Sequence, residues 1–455
     1  MKYHRRAFAQ RPIYLSRQWP ALPAPGMLAY DRAAMFPHRC RLLSPLFAMT
    51  TFVSGAEFPG PSELSPQPHF PDPLTSFTGE EIKTREEWLN ARRPELRRLF
   101  EFYQYGALPP EPAGIETRVL HTDPKAFGGK ATLREIAITP QGVRVWPMHL
   151  LLVVPNQRQA PVPVFVGLNF CGNHTLVADP KVRIPRGWME ENCPGVADHL
   201  ATEAGRGSQA EVWAIEQTIS RGYATATMWY GDADSDRHVP GDLGLPANRG
   251  SLARWAWALM RCVDYLATDK DLDPSRIAVV GHSRNGKAAL LAGAFDQRIA
   301  LIIPHQAGCG GTAPSRVAPE LAKLQANGRP TAETLAMINR NFPHWFCERF
   351  KHFNDAPEKL PFDQHCLIAM CAPRPVLLSN ATEDRWANPD GQFEMLRAAD
   401  PVYKLVAGEG LGAPSPLPAG MLLRSRLGYF IREGKHSMTP ADWKVWLDYA
   451  GEWMK

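Results

Sequence analysis

The sequence predicts a three-layer α/β sandwich, with helices on both faces of a doubly wound, mostly parallel sheet. Three observations predict it. Short apolar runs at Val164–Leu168, Tyr223–Trp229, Ile277–Val280, Ile299–Ile303 and Val376–Ser379 have the length and β-branched content of buried strands. Segments of helical spacing separate them, which is the rhythm of parallel strands joined by crossovers. The segment Gly281-His-Ser-Arg-Asn-Gly286 falls where one such strand hands over to a helix.

In chain order, residues 57–80 are rich in Pro, Ser and Gly and read as a linker or wrapping arm. Thr84 to Tyr105 reads as an amphipathic helix. Thr84 is its cap, Glu87 completes a capping box, and Pro94 is a point of kinking or division. Lys130–Ile138 and Gly142–Val153 follow as strands, with Gln141-Gly142 as the turn. Leu252–Leu266 places Trp255, Leu259, Cys262, Val263 and Leu266 on one helical face. Ala288–Ala294 reads as a small-residue helix, Val402–Val406 as a further strand, and Trp443–Trp453 as the final helix. The segment 311–360 breaks the alternation and is expected to be a helical insertion over the site. The domain reading is an N-terminal extension, 1–66, followed by one catalytic domain, 67–455.

Composition narrows the function classes. The chain has 455 residues, 44% hydrophobic and 21% charged, as an ordinary globular protein does. A net charge of +5 spread over 51 basic and 46 acidic residues is too thin an excess to mark a nucleic-acid binder. Outside the N-terminal region no apolar run reaches the length of a membrane span. The eight cysteines form no Cys-x-x-Cys pair and no Cys/His group with zinc spacing, so buried thiols are expected, with one or two disulfides open if the protein is exported. Export is itself an expectation. Arg39 and Arg41 precede the apolar Leu42–Val53 and the small residues Ser54-Gly-Ala56, so 35–56 reads as a leader starting at Met35 and the enzyme as periplasmic or secreted. A monomer is expected.

The chemistry centres on Ser283. A hydroxyl attacks a carbonyl well only if it is exposed beside a base, and small residues around a strand-to-helix turn allow that projection. Gly281 stands two before Ser283, while the position two after is Asn285 and Gly286 follows one later. A phosphate loop is excluded, because Lys287 lacks both the Gly spacing and the following Ser or Thr. This points to an α/β-hydrolase, in which the acid and then the histidine follow the nucleophile. His436, in the loop before the last helix, is the expected base. The acid is expected after Val376–Ser379, where Asp384 is preferred and Glu383 competes. The backbone N–H of Arg284 is the first oxyanion donor, and Asn169–His174 sits where an oxyanion-side loop belongs.

The segment Gly281-His-Ser-Arg-Asn-Gly-Lys287 resembles the G-C-S-R-x-G-K signature of glucuronoyl esterases, carbohydrate esterase family 15. The likeness continues through Asp72-Pro-Leu-Thr75, Asn169-Phe-Cys-Gly-Asn-His174, Gly308-Cys-Gly-Gly311, Leu360-Pro-Phe-Asp-Gln-His365, Ala372-Pro-Arg-Pro375 and Gly434-Lys-His-Ser437, and spans residues 67–455. It implies cleavage of the ester between 4-O-methyl-glucuronic acid of xylan and lignin alcohols, with no cofactor and no metal. It adds the Arg284 side chain as an oxyanion donor, with a salt bridge beneath the loop as the competing reading. Lys287 is implied as a ligand of sugar hydroxyls and Trp386 as a ring contact. Trp345 is a further lid surface, and Gln306 and Glu348 are additional sugar contacts. The sequence departs from the fungal pattern at Gln306, which stands where that pattern carries the acid in E-S-G-x-G-G. An acetyl-xylan or other carbohydrate acetyl esterase, and a polysaccharide-binding protein with impaired catalysis, are the alternatives.

Overall fold

Ten strands form one mixed sheet in a computed structural model that describes residues 58–143, 145–236, 249–322 and 331–455. They are β1 (Ile115–Ala126), β2 (Ala131–Pro140), β3 (Met148–Pro155), β4 (Val162–Asn169), β5 (Ala224–Trp229), β6 (Leu272–His282), β7 (Leu301–His305), β8 (Val376–Ala381), β9 (Leu422–Leu423) and β10 (Leu427–Arg432). Their order across the sheet is β1-β2-β3-β5-β4-β6-β7-β8-β10-β9. The five pairings from β5 through β4, β6, β7 and β8 to β10 are parallel. The pairings at the two margins are antiparallel. The chain thus has the α/β-hydrolase fold. The leader read at 35–56, and Cys40, lie outside the described residues.

The parallel half has buried strands because helices cover both its faces, so β4 and β5 are buried along their whole length. On one face, helix α2 (Ser251–Leu266) sets Trp255, Leu259 and Val263 against the sheet beside α3 (Arg284–Phe295). On the other, α5 (Pro440–Trp453) packs Trp443 and Trp446 against Phe165 and Ile303. In the N-terminal region, the Thr84 hydroxyl accepts from Glu87 N and Glu87 returns the bond to Thr84 N, both at 3.1 Å, so the capping box forms. The helical stretch then runs through π turns at Trp88–Arg92 and Glu101–Tyr105 on either side of Arg93–Phe100. Pro94 falls where the first π turn hands over to that central piece, and its missing N–H leaves the helical ladder one bond short there. Phe58 packs edge-on against Phe77 and Phe102.

Three readings need correction. Val402–Val406 is not a strand: it ends the long helix α4 (Pro389–Ala407), which buries Met395, Leu396, Ala399, Val402, Tyr403 and Val406 at helical spacing. Two valines after Pro401 look like a strand start locally, but their burial follows the 3.6-residue period. The last parallel strand is β10. The second correction is β1, which sequence patterning misses because it is an edge strand with mostly exposed side chains. The third is the start of β3, which begins at Met148 because Trp146-Pro147 interrupts the run, with Trp146 73% exposed. Among its described residues, the segment 311–360 holds short helices, including Leu335–Asn341 and Glu348–Lys351.

A disulfide joins Cys171, just after β4, to Cys193. Cys262, Cys309, Cys347, Cys366 and Cys371 are buried thiols. Cross-linking a loop of 22 residues removes unfolded-state entropy worth about 3 kcal/mol. The double variant C171S/C193S is therefore expected to lose about that much stability in urea melts, and the wild type should show the same loss under reductant.

Candidate active site

Parallel strands deliver their carboxyl ends to one edge of a sheet, and three of those ends carry the expected residues. β6 ends at His282 and passes directly into α3 through Ser283. Ser283 has φ 57° and ψ −124°, a strained backbone that holds the side chain clear of both elements. The neighbours explain the composition of the turn. A Cβ on Gly281 would lie 2.1 Å from Asn285 O, and one on Gly286 would lie 2.9 Å from both Gly281 O and His305 O. Position 285 needs no glycine because it is already helical, and Asn285 Nδ2 instead donates to Leu168 O at 3.1 Å, tying α3 to the end of β4.

β8 leads to Asp384 and β10 to His436. The two strands are in register, Ala381 opposite Arg432, so the two loops leave the sheet side by side. His436 Nδ1 lies 2.6 Å from Asp384 Oδ2. Asp384 is buried, whereas Glu383 beside it is exposed and uses only its backbone N–H, donated to Gly434 O. The carboxylate facing His436 is therefore Asp384. With Nδ1 committed, His436 has Nε2 for a reacting hydroxyl. Its ring packs 4.5 Å from that of His282, the residue before Ser283, so His436 and the turn at Ser283 are adjacent. Burial, with His305 and His436 as neighbours, holds the His282 ring well below the ordinary histidine range, so this contact is with a neutral imidazole.

Arg284 follows Ser283. As the first residue of α3 its N–H has no intrahelical acceptor. Its guanidinium pairs through Nη1 with buried Asp236 and lies over the rings of Trp345, at 5.0 Å, and Phe342, at 5.5 Å. Asp236 also accepts from Trp345 Nε1 at 2.7 Å and lies 2.8 Å from His344 Nε2. Arg284 Nε is buried without an acceptor. The salt bridge read as an alternative thus exists, but it aims the guanidinium rather than consuming it. One face is fixed by Asp236 while Nε stays unpaired.

A family model described as fungal glucuronyl esterase matches residues 244–407. A carbohydrate esterase from an unknown prokaryotic organism is 40% identical over 406 residues, which cover 86% of this chain and 90% of that protein. This chain is a member of the glucuronoyl esterases, carbohydrate esterase family 15. Among solved structures, a promiscuous esterase of the family from the marine bacterial metagenome superposes with a TM-score of 0.77 at 38% identity, over 87% of this chain and 99% of that one. The glucuronoyl esterase from Solibacter usitatus gives 0.75 at 32% identity, over 87% and 100%. This member of the family is a serine-dependent esterase.

The remaining residues of this esterase divide. Lys287, one turn beyond Ser283, is buried and donates to Ala307 O at 2.5 Å and Cys309 O at 2.6 Å, with Trp345 5.9 Å from Nζ. Burial lowers the Lys287 ammonium, and the carboxylate of Glu333 opposes that. Glu333, from the insertion, was not singled out by sequence. Its N–H donates to Trp386 O at 3.1 Å, and the Trp386 side chain hydrogen-bonds its carboxylate. Lys287, Glu333 and half-buried Trp386 thus form one wall.

Three expected contacts are corrected. Trp345 is buried and stacked on Phe342 at 3.8 Å, so it backs Arg284 instead of forming a lid surface. Gln306 is 1% exposed and turned under the His436 loop, out of reach of a sugar. The Glu348 side chain is 72% exposed and pairs with Lys351 at 2.6 Å, on a short helix that packs toward Phe102. Asp236 and His344 were also missed, and the only signal for Asp236 was its place in an acidic run after β5. Replacing Asp236 by Asn should leave Arg284 poorly aimed and lower kcat roughly tenfold to a hundredfold, read by steady-state turnover of an aryl ester.

Proposed function

We propose that Ser283, His436 and Asp384 are the nucleophile, base and acid of this esterase, and that it hydrolyses the ester between 4-O-methyl-glucuronic acid of glucuronoxylan and lignin alcohols. The 2.6 Å contact of His436 Nδ1 with Asp384, on a ring packed against the strained elbow, carries the assignment.

Ser283 Oγ attacks the uronate carbonyl carbon while His436 Nε2 takes the hydroxyl proton. The carbonyl electron pair moves to oxygen, where the Arg284 N–H and guanidinium stabilise the charge. As the tetrahedral intermediate collapses, the C–O bond to the alcohol breaks and His436 returns the proton to the leaving oxygen. Water, deprotonated by the same ring, then cleaves the acyl-enzyme. Asp384 stays ionised throughout and balances the imidazolium.

Acyl specificity comes from the wall of Lys287, Glu333 and Trp386. A uronate ring presents hydroxyls and a flat carbon face, which fit a cation and carboxylate beside an indole. The relatives support this choice: the 4-O-methyl-glucuronoyl methylesterase of Schizophyllum commune is 28% identical over 76% of this chain and 74% of that protein. Export to the periplasm or beyond is part of the same reading, favoured by the Cys171–Cys193 bridge. N-terminal sequencing of the protein from the native cell tests this: a start within or just after 54–56 is expected, and an intact Met1 on protein retained in the cytoplasm would sink it.

The deciding assay is kcat/KM on benzyl glucuronate against a matched aryl acetate. A strong preference for the glucuronate that disappears in S283A is expected, while a preference for acetate would move this chain to the acetyl esterases. Burial raises the Glu333 carboxyl above its ordinary value, against the pull of Lys287. It is therefore protonated at a higher pH than a free glutamate and loses acceptor strength there. KM for the glucuronate should rise as pH falls through that raised value, and E333Q should show a high KM that no longer depends on pH in this window.

A further inference from the structure

The end of β7 carries two side chains that the mechanism above does not use. His305 is wholly buried and Gln306 is 1% exposed. Yet this dipeptide is bonded to all three segments that bear the reacting groups. Ser283 N donates to His305 O at 2.9 Å. Gln306 N donates to Ser379 O at 2.9 Å, on β8, the strand that leads to Asp384. Ser437 N, the peptide directly after His436, donates to Gln306 Oε1 at 2.9 Å. The His305 ring lies between Ser379 O and Ser437 O, 2.9 Å from each. Burial lowers the His305 imidazole, against the pull of the Asp442 carboxylate 3.8 Å from its Nε2. Ser437 O already accepts from Arg432 at 2.8 Å, so the bond at Ser437 that depends on Gln306 alone is the one from its N–H.

The backbone at Gln306 supports a dedicated role. It has φ 48°, a left-handed conformation that glutamine adopts at a cost and that turns its side chain back toward the His436 loop. His436 itself is 42% exposed at the side chain, where Asp384 hydrogen-bonds its ring and His282 packs against it, so the direction of its free edge also depends on the peptide beside it.

We propose that Gln306 is a positioning residue, whose amide oxygen clamps the Ser437 peptide and so aims His436 at both Ser283 and Asp384. A neutral acceptor suits the place, because Gln306 is 1% exposed and a carboxylate there would have to be desolvated. The proposal rests on His436 and Asp384 being the base and acid.

The test compares Q306A and Q306E with S283A on benzyl glucuronate, each across pH. Loss of the clamp in Q306A should lower kcat on the order of a hundredfold, as a displacement near 1 Å would, with KM within about twofold of wild type. Q306E keeps an acceptor for Ser437 N and should recover most of kcat at its plateau. Its new carboxylate favours imidazolium at His436, so the acid limb of kcat/KM should move to higher pH. Wild-type kcat in Q306A, or a raised KM with kcat intact, would overturn the clamp, the second pointing to a sugar contact. If Q306A does not fold, Q306E decides alone, and an unmoved acid limb rejects the proposal. Turnover surviving in S283A would instead reject the nucleophile assignment on which the clamp stands.

Discussion

The close approach of α3 to β6 at Gly281 governs the rest of the site. Asn285 O occupies the space a Cβ on Gly281 would need, so the chain reverses within the space of Ser283 and places that residue at a positive φ. The strain is held by its surroundings: Ser283 N is bonded to His305 O, Asn285 to Leu168 O, and α3 lies buried against the sheet. Once the turn is fixed, a serine, an arginine and a lysine at 283, 284 and 287 project into one mouth, because residues three and four apart share a helix face.

Charge in that mouth is arranged by residues from far away in the chain. Arg284 sits in an aromatic box that would be a poor place for a cation without Asp236, 48 residues earlier, and Asp236 in turn is bonded by Trp345 from the insertion. Lys287 is treated likewise, its charge supported by two carbonyls and by Glu333. The insertion therefore completes the electrostatics of the helix start. Both cations are desolvated, which strengthens their pull on any negative charge or dipole brought beside them.

This division explains what could be read from sequence. Most strands of the parallel half are visible because burial on both faces forces continuous apolar runs, and the elbow is visible because its constraints act over six residues; β10 is the parallel strand that the patterning passes over. Asp384 can be placed because it follows β8 by a few residues, and His436 because it stands in the loop before the last helix. Glu333, Asp236 and His344 carry no such local mark; their roles exist only through contacts made across the fold. The same holds for the errors. β1 has one exposed side and no apolar run, and Val402–Val406 resembles a strand until the burial of α4 shows a helical period. Gln306 and Glu348 were given sugar contacts from their chemistry, which says nothing about whether a side chain faces the cleft.

The meeting of Asp384 and His436 follows from the sheet. A histidine offers one Nδ1, and one carboxylate satisfies it, so that carboxylate can come from any loop that reaches the atom. β8 and β10 are paired neighbours, Ala381 beside Arg432, and the loops that leave them bring Asp384 and His436 together over a few residues. The end of β7 is one strand farther away and lies against Ser283 and Ser379 as well. A charged group at 306 would have to be desolvated, because Gln306 is 1% exposed, at a cost of several kcal/mol per ion. With the carboxylate that faces His436 coming from the loop after β8, the end of β7 needs none of its own, and Gln306 and His305 join the three strand ends through hydrogen bonds.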